Sequence, residues 1–373
     1  MITQRGVQTK ISTTAIWTVL SLGMTHIVKL IVFFLLHASL RTLALAFPKS
    51  EEFGSALTEN ESYNMTTING FLESFFARKA TLSAEEWKSR LPNMKEKDEM
   101  TKLITSIWKF ETFDGVSPNL LDSYPNLKPI ISITRYNNTL IVHEKPGLSR
   151  DLRRYWGYIA INDKRSAKRN LHHAAPHFES DGDVCREAAY LFESTTSRSL
   201  VVAGASRFAV RGNVYSTCLK TYHPSDSAHN SDNMFHHWNM ILADLAKNTN
   251  AIFVQWHGMA ETSCQNDVFI SAGSRDSQVY SRDIPAVKIR DAFNQLEKQM
   301  KSTTPDIDKC RLTASTNVFG RYLNGVPPAN VCERSAKAEN IQGTFVHIEQ
   351  KRQARDALKL WNDVIRLAYP TEV

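Results

Sequence analysis

Eight of the chain's twelve histidines fall between residues 172 and 257. Histidine is the side chain best suited to ligate a divalent metal or to move protons near neutral pH, so this stretch is where chemistry is to be sought. In Pro176-His177-Phe178-Glu179-Ser180-Asp181-Gly182-Asp183, one imidazole precedes three carboxylates in a polar loop. A neutral imidazole and an ionised carboxylate a few residues apart can converge on one ion, here His177 with Glu179, Asp181 or Asp183; Asp181 is preferred. In Gln255-Trp256-His257-Gly258 a histidine ends an apolar run and the backbone turns at the glycine, which suits a third ligand, His257. In Thr344-Phe345-Val346-His347-Ile348-Glu349 an apolar run ends in a carboxylate, and Glu349 beside a metal could take up and return a proton. His229 lies in the polar loop Asp226-Ser227-Ala228-His229, and Arg207, Asn317 and Arg321 follow short apolar or glycine-containing turns. These four are candidate substrate contacts, the arginines because guanidinium groups match carboxylates. Each residue also has a plainer reading: a buried ring satisfied by a carbonyl, a helix cap, or a surface charge.

The elements that must position them follow from residue patterning. Short apolar runs at 158–161, 171–174, 199–203, 251–256, 268–271 and 344–348 read as strands. Between them, residues 234–245 and 354–368 carry apolar positions on one helical face. Another helix is expected from near Asp283, with Pro285 in its first turn, to Lys301. The alternation predicts an α/β domain over residues 127–373. Its expected form is a three-layer sandwich with a mixed, mostly parallel sheet and helices on both faces. His177, Arg207, His257 and Glu349 would each stand at the carboxyl end of a different strand, and parallel strands would bring those ends to one rim. Residues 47–126 read as a small helical lead-in, with a Ser83-capped helix through Trp87 and a second helix over 96–110.

The chain has 373 residues, 42% apolar and 22% charged, which excludes a disordered or low-complexity protein. The net charge is +7, but residues 1–46 hold four basic residues and no acidic one, so the remainder carries only +3. Nucleic-acid binding is therefore not expected, and the Lys164-Arg165/Lys168-Arg169 patch reads as solvated surface. The leader, with Lys29, an apolar run to Leu36 and Ala44-Leu45-Ala46, has the layout of a cleavable secretory signal; if uncleaved it would anchor the chain in a membrane. Sequons at Asn60, Asn64 and Asn137 agree with export and glycosylation. The five cysteines contain no CxxC pair; in an oxidising compartment Cys310–Cys332 and Cys218–Cys264 are the expected bridges, leaving Cys185 free.

On Pro176-His177 with its Asp/Gly-rich turn, the Ser206-Arg207 and His257-Gly258 strand ends and the late Ile348-Glu349, residues 127–373 resemble the zinc-dependent N-formylglutamate amidohydrolase and poly-gamma-glutamate hydrolase group, which shares a fold with zinc carboxypeptidases. The resemblance is remote, in matched turns and their order. It implies a phosphorylase/hydrolase-like sandwich and one zinc ion, held by His177, a carboxylate just downstream and His257. It also implies Glu349 as general base and an arginine on a substrate carboxylate. Carboxypeptidases of this fold space the first His and Glu by three residues, whereas here the carboxylates follow at +2, +4 and +6. The expected function is a secreted zinc hydrolase that cleaves a peptide or N-acyl amide bond next to a carboxylate, on a small-molecule or peptide substrate. The alternative is a non-catalytic secreted or cell-surface binding protein on the same fold. A metal phosphoesterase would need more Asp, and a serine hydrolase would need the GxSxG that Gly204-Ala205-Ser206-Arg207 lacks.

Overall fold

The computed structural model describes residues 64–371. The leader at 1–46, the sequon at Asn60 and the first part of the lead-in lie outside them. Three helices come first: α1 (Met65–Glu73), α2 (Ala84–Arg90) and α3 (Met94–Trp108). Ser83 caps α2 and Asn93 caps α3, each in a reciprocal capping box with the glutamate three residues on, which is why both helices begin where they do.

Nine strands follow: β1 (Ile131–Tyr136), β2 (Thr139–Glu144), β3 (Gly157–Asn162), β4 (Arg169–Ala175), β5 (Ser197–Ala203), β6 (Ile252–Gly258), β7 (Val268–Ser271), β8 (Ser302–Thr303) and β9 (Phe345–Gln350). They form one sheet in the order β1-β2-β3-β5-β4-β6-β9-β7-β8. The central quartet β5-β4-β6-β9 is parallel, and antiparallel strands flank it on both sides. Among the interspersed helices are α4 (Val184–Ser194), α5 (Met234–Leu245), α6 (Pro285–Leu296), α7 (Val318–Leu323), α8 (Arg352–Asp356) and α9 (Leu358–Ala368). The final helical pattern is thus two helices with a break at Ala357. Pro285 opens α6, where its fixed φ fits and its missing N–H costs nothing.

Helices α1, α4, α6 and α9 cover one face of the sheet and α3, α5 and α7 the other, giving three layers. Strands covered on both faces carry apolar runs, and every residue of β5, including its apolar run 200–203, is buried. The lead-in is part of this body. Leu103 and Ile107 of α3 share a core with Trp238 and Leu242 of α5 and with Val201 and Phe253 of the sheet. On the opposite face Trp361 of α9 meets Trp256 of β6 and Phe293 of α6, each with ring centroids 5.1 Å apart.

Two bridges form, Cys218–Cys332 and Cys264–Cys310, and Cys185 is buried and free. The expected partners are therefore exchanged: the 218 loop meets the segment after α7, where Cys218 and Cys332 pack against Val318, Val326 and Val331. On α5 His236 is buried in the core, whereas His237 reaches out to the Lys97 carbonyl at 2.9 Å. Among the described residues no helix is long and apolar enough to cross a membrane.

Four buried histidines make the fold acid-sensitive. Burial lowers His172, His173 and His236 to about 3 and His143 to about 4, against 6.5 when exposed. The unfolded chain therefore takes up protons that the native chain refuses, so stability is lost as pH falls from about 6.5 towards 4. Each ring costs up to ~1.4 kcal/mol per pH unit across that window. Thermal melts between pH 7.5 and 4.5 should fall steeply below pH 6.5; a flat profile would contradict the burial of these rings.

Candidate metal centre

The parallel quartet delivers its carboxyl ends to one rim. His177 follows β4, Arg207 follows β5, and His257 and Glu349 face each other as register partners on β6 and β9. In the loop after β4 the chain reverses through two left-handed residues, Glu179 (φ 65°) and Gly182 (φ 70°), which folds Asp181 back over His177. Gly258 completes the fit, since a Cβ there would overlap the Asp181 carbonyl oxygen.

Three atoms converge at this point. His177 Nδ1 lies 2.9 Å from Asp181 Oδ2, His257 Nδ1 lies 3.3 Å from the same oxygen, and the two nitrogens are 3.1 Å apart. These three side chains are all buried. One N–H can point at only one neighbour, so hydrogen bonding does not account for three mutual approaches at once. Ligands at ~2.0–2.2 Å from a tetrahedral ion stand ~3.3 Å from one another, close to the spacing found. Of the three carboxylates in the loop only Asp181 joins the cluster. Glu179 accepts the Lys79 amide at 2.9 Å, and Asp183 is exposed in front of α4.

The far edge of each imidazole is held as metal-bound rings require. His177 Nε2 lies 3.0 Å from Asp226 Oδ1, an oxygen that also approaches His229 Nδ1 at 3.0 Å and accepts the Ala228 amide at 3.2 Å. Burial alone would raise the Asp226 carboxyl, but the two histidines more than reverse this and hold it well below the usual range. His257 Nε2 lies 3.3 Å from Gln255 Oε1, which Asn317 steadies by donating its amide at 2.7 Å. Arg207 grips the other oxygen of Asp181 and donates to Ser180 Oγ at 3.0 Å. Tyr222 stacks on the His229 ring at 3.6 Å and ties to Thr316 at 2.9 Å.

Glu349 stands at the edge of the cluster, 3.5 Å from His347 Nε2. Burial raises its carboxyl to about 7, against the opposing influence of His177 and Arg207. Asp226, Gln255 and His347, absent from the residues singled out by sequence, thus line the same site. The Asp226-Ser227-Ala228-His229 loop and the Gln255-x-His257 alternation were the available signals. Asn317 sits behind His257 rather than facing a ligand, and also caps α7. Arg321 is not brought to the cluster: its Nε donates to the Ser315 carbonyl at 2.9 Å and its Nη1 to the Val331 carbonyl at 2.8 Å. That commits the guanidinium to the segment around Cys332 instead of to a substrate carboxylate. The lead-in also contributes. Ala77 and Leu82 pair with Ala205 and Val210, which pins the turn carrying Arg207.

Fold and site together define an α/β protein with a buried His-Asp-His cluster at the carboxyl rim of a parallel quartet. No protein-family model matches the chain, and no curated protein matches it significantly.

Asp226→Asn keeps the shape of the side chain and removes the charge behind His177. The affinity of the cluster for a divalent metal ion should fall ~10–100-fold in chelator competition. Unchanged affinity would show that Asp226 does not orient a metal ligand.

Proposed function

We propose that the chain is a secreted zinc hydrolase that cleaves a peptide or N-acyl amide bond next to a carboxylate, with His177, Asp181 and His257 as the ligands of one ion. The observation that carries this reading is the mutual approach of those three side-chain atoms at 2.9–3.3 Å, on the strand rim where α/β sheets bind ligands. Two nitrogens and one carboxylate oxygen, with no thiolate, form a donor set suited to zinc and leave a coordination position for substrate, as catalytic sites do. A zinc ion held there supplies a Lewis acid that polarises a carbonyl and makes water more acidic.

The chain's own residues do the rest. Asp226 and Gln255 keep the two rings turned so that both Nδ1 atoms face Asp181. Glu349, across from His257 in the register, takes a proton from the attacking water and returns it to the leaving nitrogen. Arg207, whose side chain is 25% exposed, pairs with Asp181 and offers its outward edge to a substrate carboxylate. His229, 13% exposed, completes the rim. Two disulfides fit the oxidising compartment that a secretory leader implies.

The burial of the three ligand side chains favours one other reading, a binding protein that keeps the ion without turnover. Metal analysis and assay of one preparation against N-acyl amino acids and short peptides separate the two. The hydrolase reading expects about one zinc per chain, lost in His177→Ala and His257→Ala. It also expects turnover that Glu349→Gln lowers ~10²–10⁴-fold while zinc content stays unchanged. Full zinc with no turnover on any substrate supports the binding protein, and zinc content indifferent to both histidine variants overturns the site.

A further inference from the structure

A large cavity lies at the opposite end of the sheet, where the parallel quartet begins. It encloses about 720 Å³ and is lined by Lys164, Lys168, Arg169, Arg198 and Lys288, with no Asp or Glu among its lining residues. Arg169 opens β4 and Arg198 is the second residue of β5. Both are buried, at 9% and 5% exposure, and neither forms an ion pair among the described residues. Arg169 donates only to the carbonyls of Tyr369 and Thr195, at 2.7 and 2.8 Å. Arg198 donates Nη2 to the Trp108 carbonyl at 2.9 Å and lies 4.1 Å above the Trp108 ring, while its Nη1 is buried with no hydrogen-bond partner.

A buried guanidinium without a directly paired counter-charge is costly, and removing its partner from a buried pair is among the more destabilising changes known. Asp163 and Glu111 act on Arg198 from a distance, but neither pairs with it, and the charge near Arg169 is the like charge of Arg366. With the Arg198 Nη1 left unsatisfied beside the cavity, the two guanidinium groups suit an anion at closer range. The lysines complete the charge. Lys168 makes only a 3.4 Å contact with the Arg165 carbonyl, and Lys164 and Lys288 pair with exposed carboxylates outside the lining. This is the basic run Lys164-Arg165/Lys168-Arg169, which the sequence alone presents as solvated surface.

We propose that this cavity binds a multiply charged oxyanion, a phosphate or sulfate group free or carried on a small molecule, with Arg198 and Arg169 as its inner contacts and Lys168 and Lys288 at its mouth. Planar guanidinium forks match the oxygens of such groups, and the lysines add charge from the rim. The site is separate from the proposed metal centre and does not depend on it.

The test is thermal melting and calorimetric titration of the intact protein with inorganic phosphate and with sulfate, up to ~10 mM, against chloride at matched ionic strength. That concentration is too low for general salt stabilisation. One or both oxyanions should raise the melting temperature by about 2–3 °C and bind one per chain. Arg198→Met should lose the shift. Lys168→Met/Lys288→Met, altering exposed residues only, should weaken binding at least ~10-fold in a protein that folds normally. A shift equal to that in chloride, or one undiminished in the double lysine variant, overturns the proposal.

Discussion

Two imidazole nitrogens and one carboxylate oxygen crowd within 3.3 Å of each other in a buried place, and the rest of this end of the molecule is arranged around that fact. Without a cation or shared protons between them the lone pairs would repel, and burial strengthens that repulsion. The surrounding chain holds the atoms there regardless. Asp226 and Gln255 fix the backs of the rings, Arg207 fixes the second oxygen of Asp181, and Gly258 has no side chain because the Asp181 backbone occupies the space.

The holding groups come from widely separated parts of the chain. Asp226 sits in a loop whose neighbouring stretch is anchored by the Cys218–Cys332 bridge, and Arg321 secures the carbonyls on the far side of that bridge. Arg207 is pinned by Ala77 and Leu82, from a segment that carries no histidine of its own. The role of the lead-in and of the disulfide is therefore positional. Both restrict loops that strand geometry alone would leave free to move.

The parallel quartet was legible in the sequence because strands buried on both faces carry apolar runs, as Leu200–Ala203 of β5 and Ile252–Val254 of β6 do. Its consequence, a shared rim for His177, Arg207, His257 and Glu349, followed from chain direction alone. The β1–β2 hairpin carries only a weak signal in the sequence, the Asn137-Asn138 turn with Asn137 at φ 48°. Disulfide partners and the backing residues of the two rings depend on which loops meet in space. No spacing rule encodes that Cys332 meets Cys218 or that the Arg321 guanidinium is spent on the Val331 carbonyl. The choice among Glu179, Asp181 and Asp183 likewise depended on left-handed turns at Glu179 and Gly182, one of them at a residue that seldom adopts that conformation.

The most direct test is anomalous scattering at the zinc edge from crystals soaked in zinc. The account predicts one strong peak about 2.0–2.2 Å from His177 Nδ1, Asp181 Oδ2 and His257 Nδ1, with Asp226 and Gln255 unmoved behind the rings. A molecule in which zinc binds elsewhere, or in which the three side chains stay together with no ion between them, would contradict it.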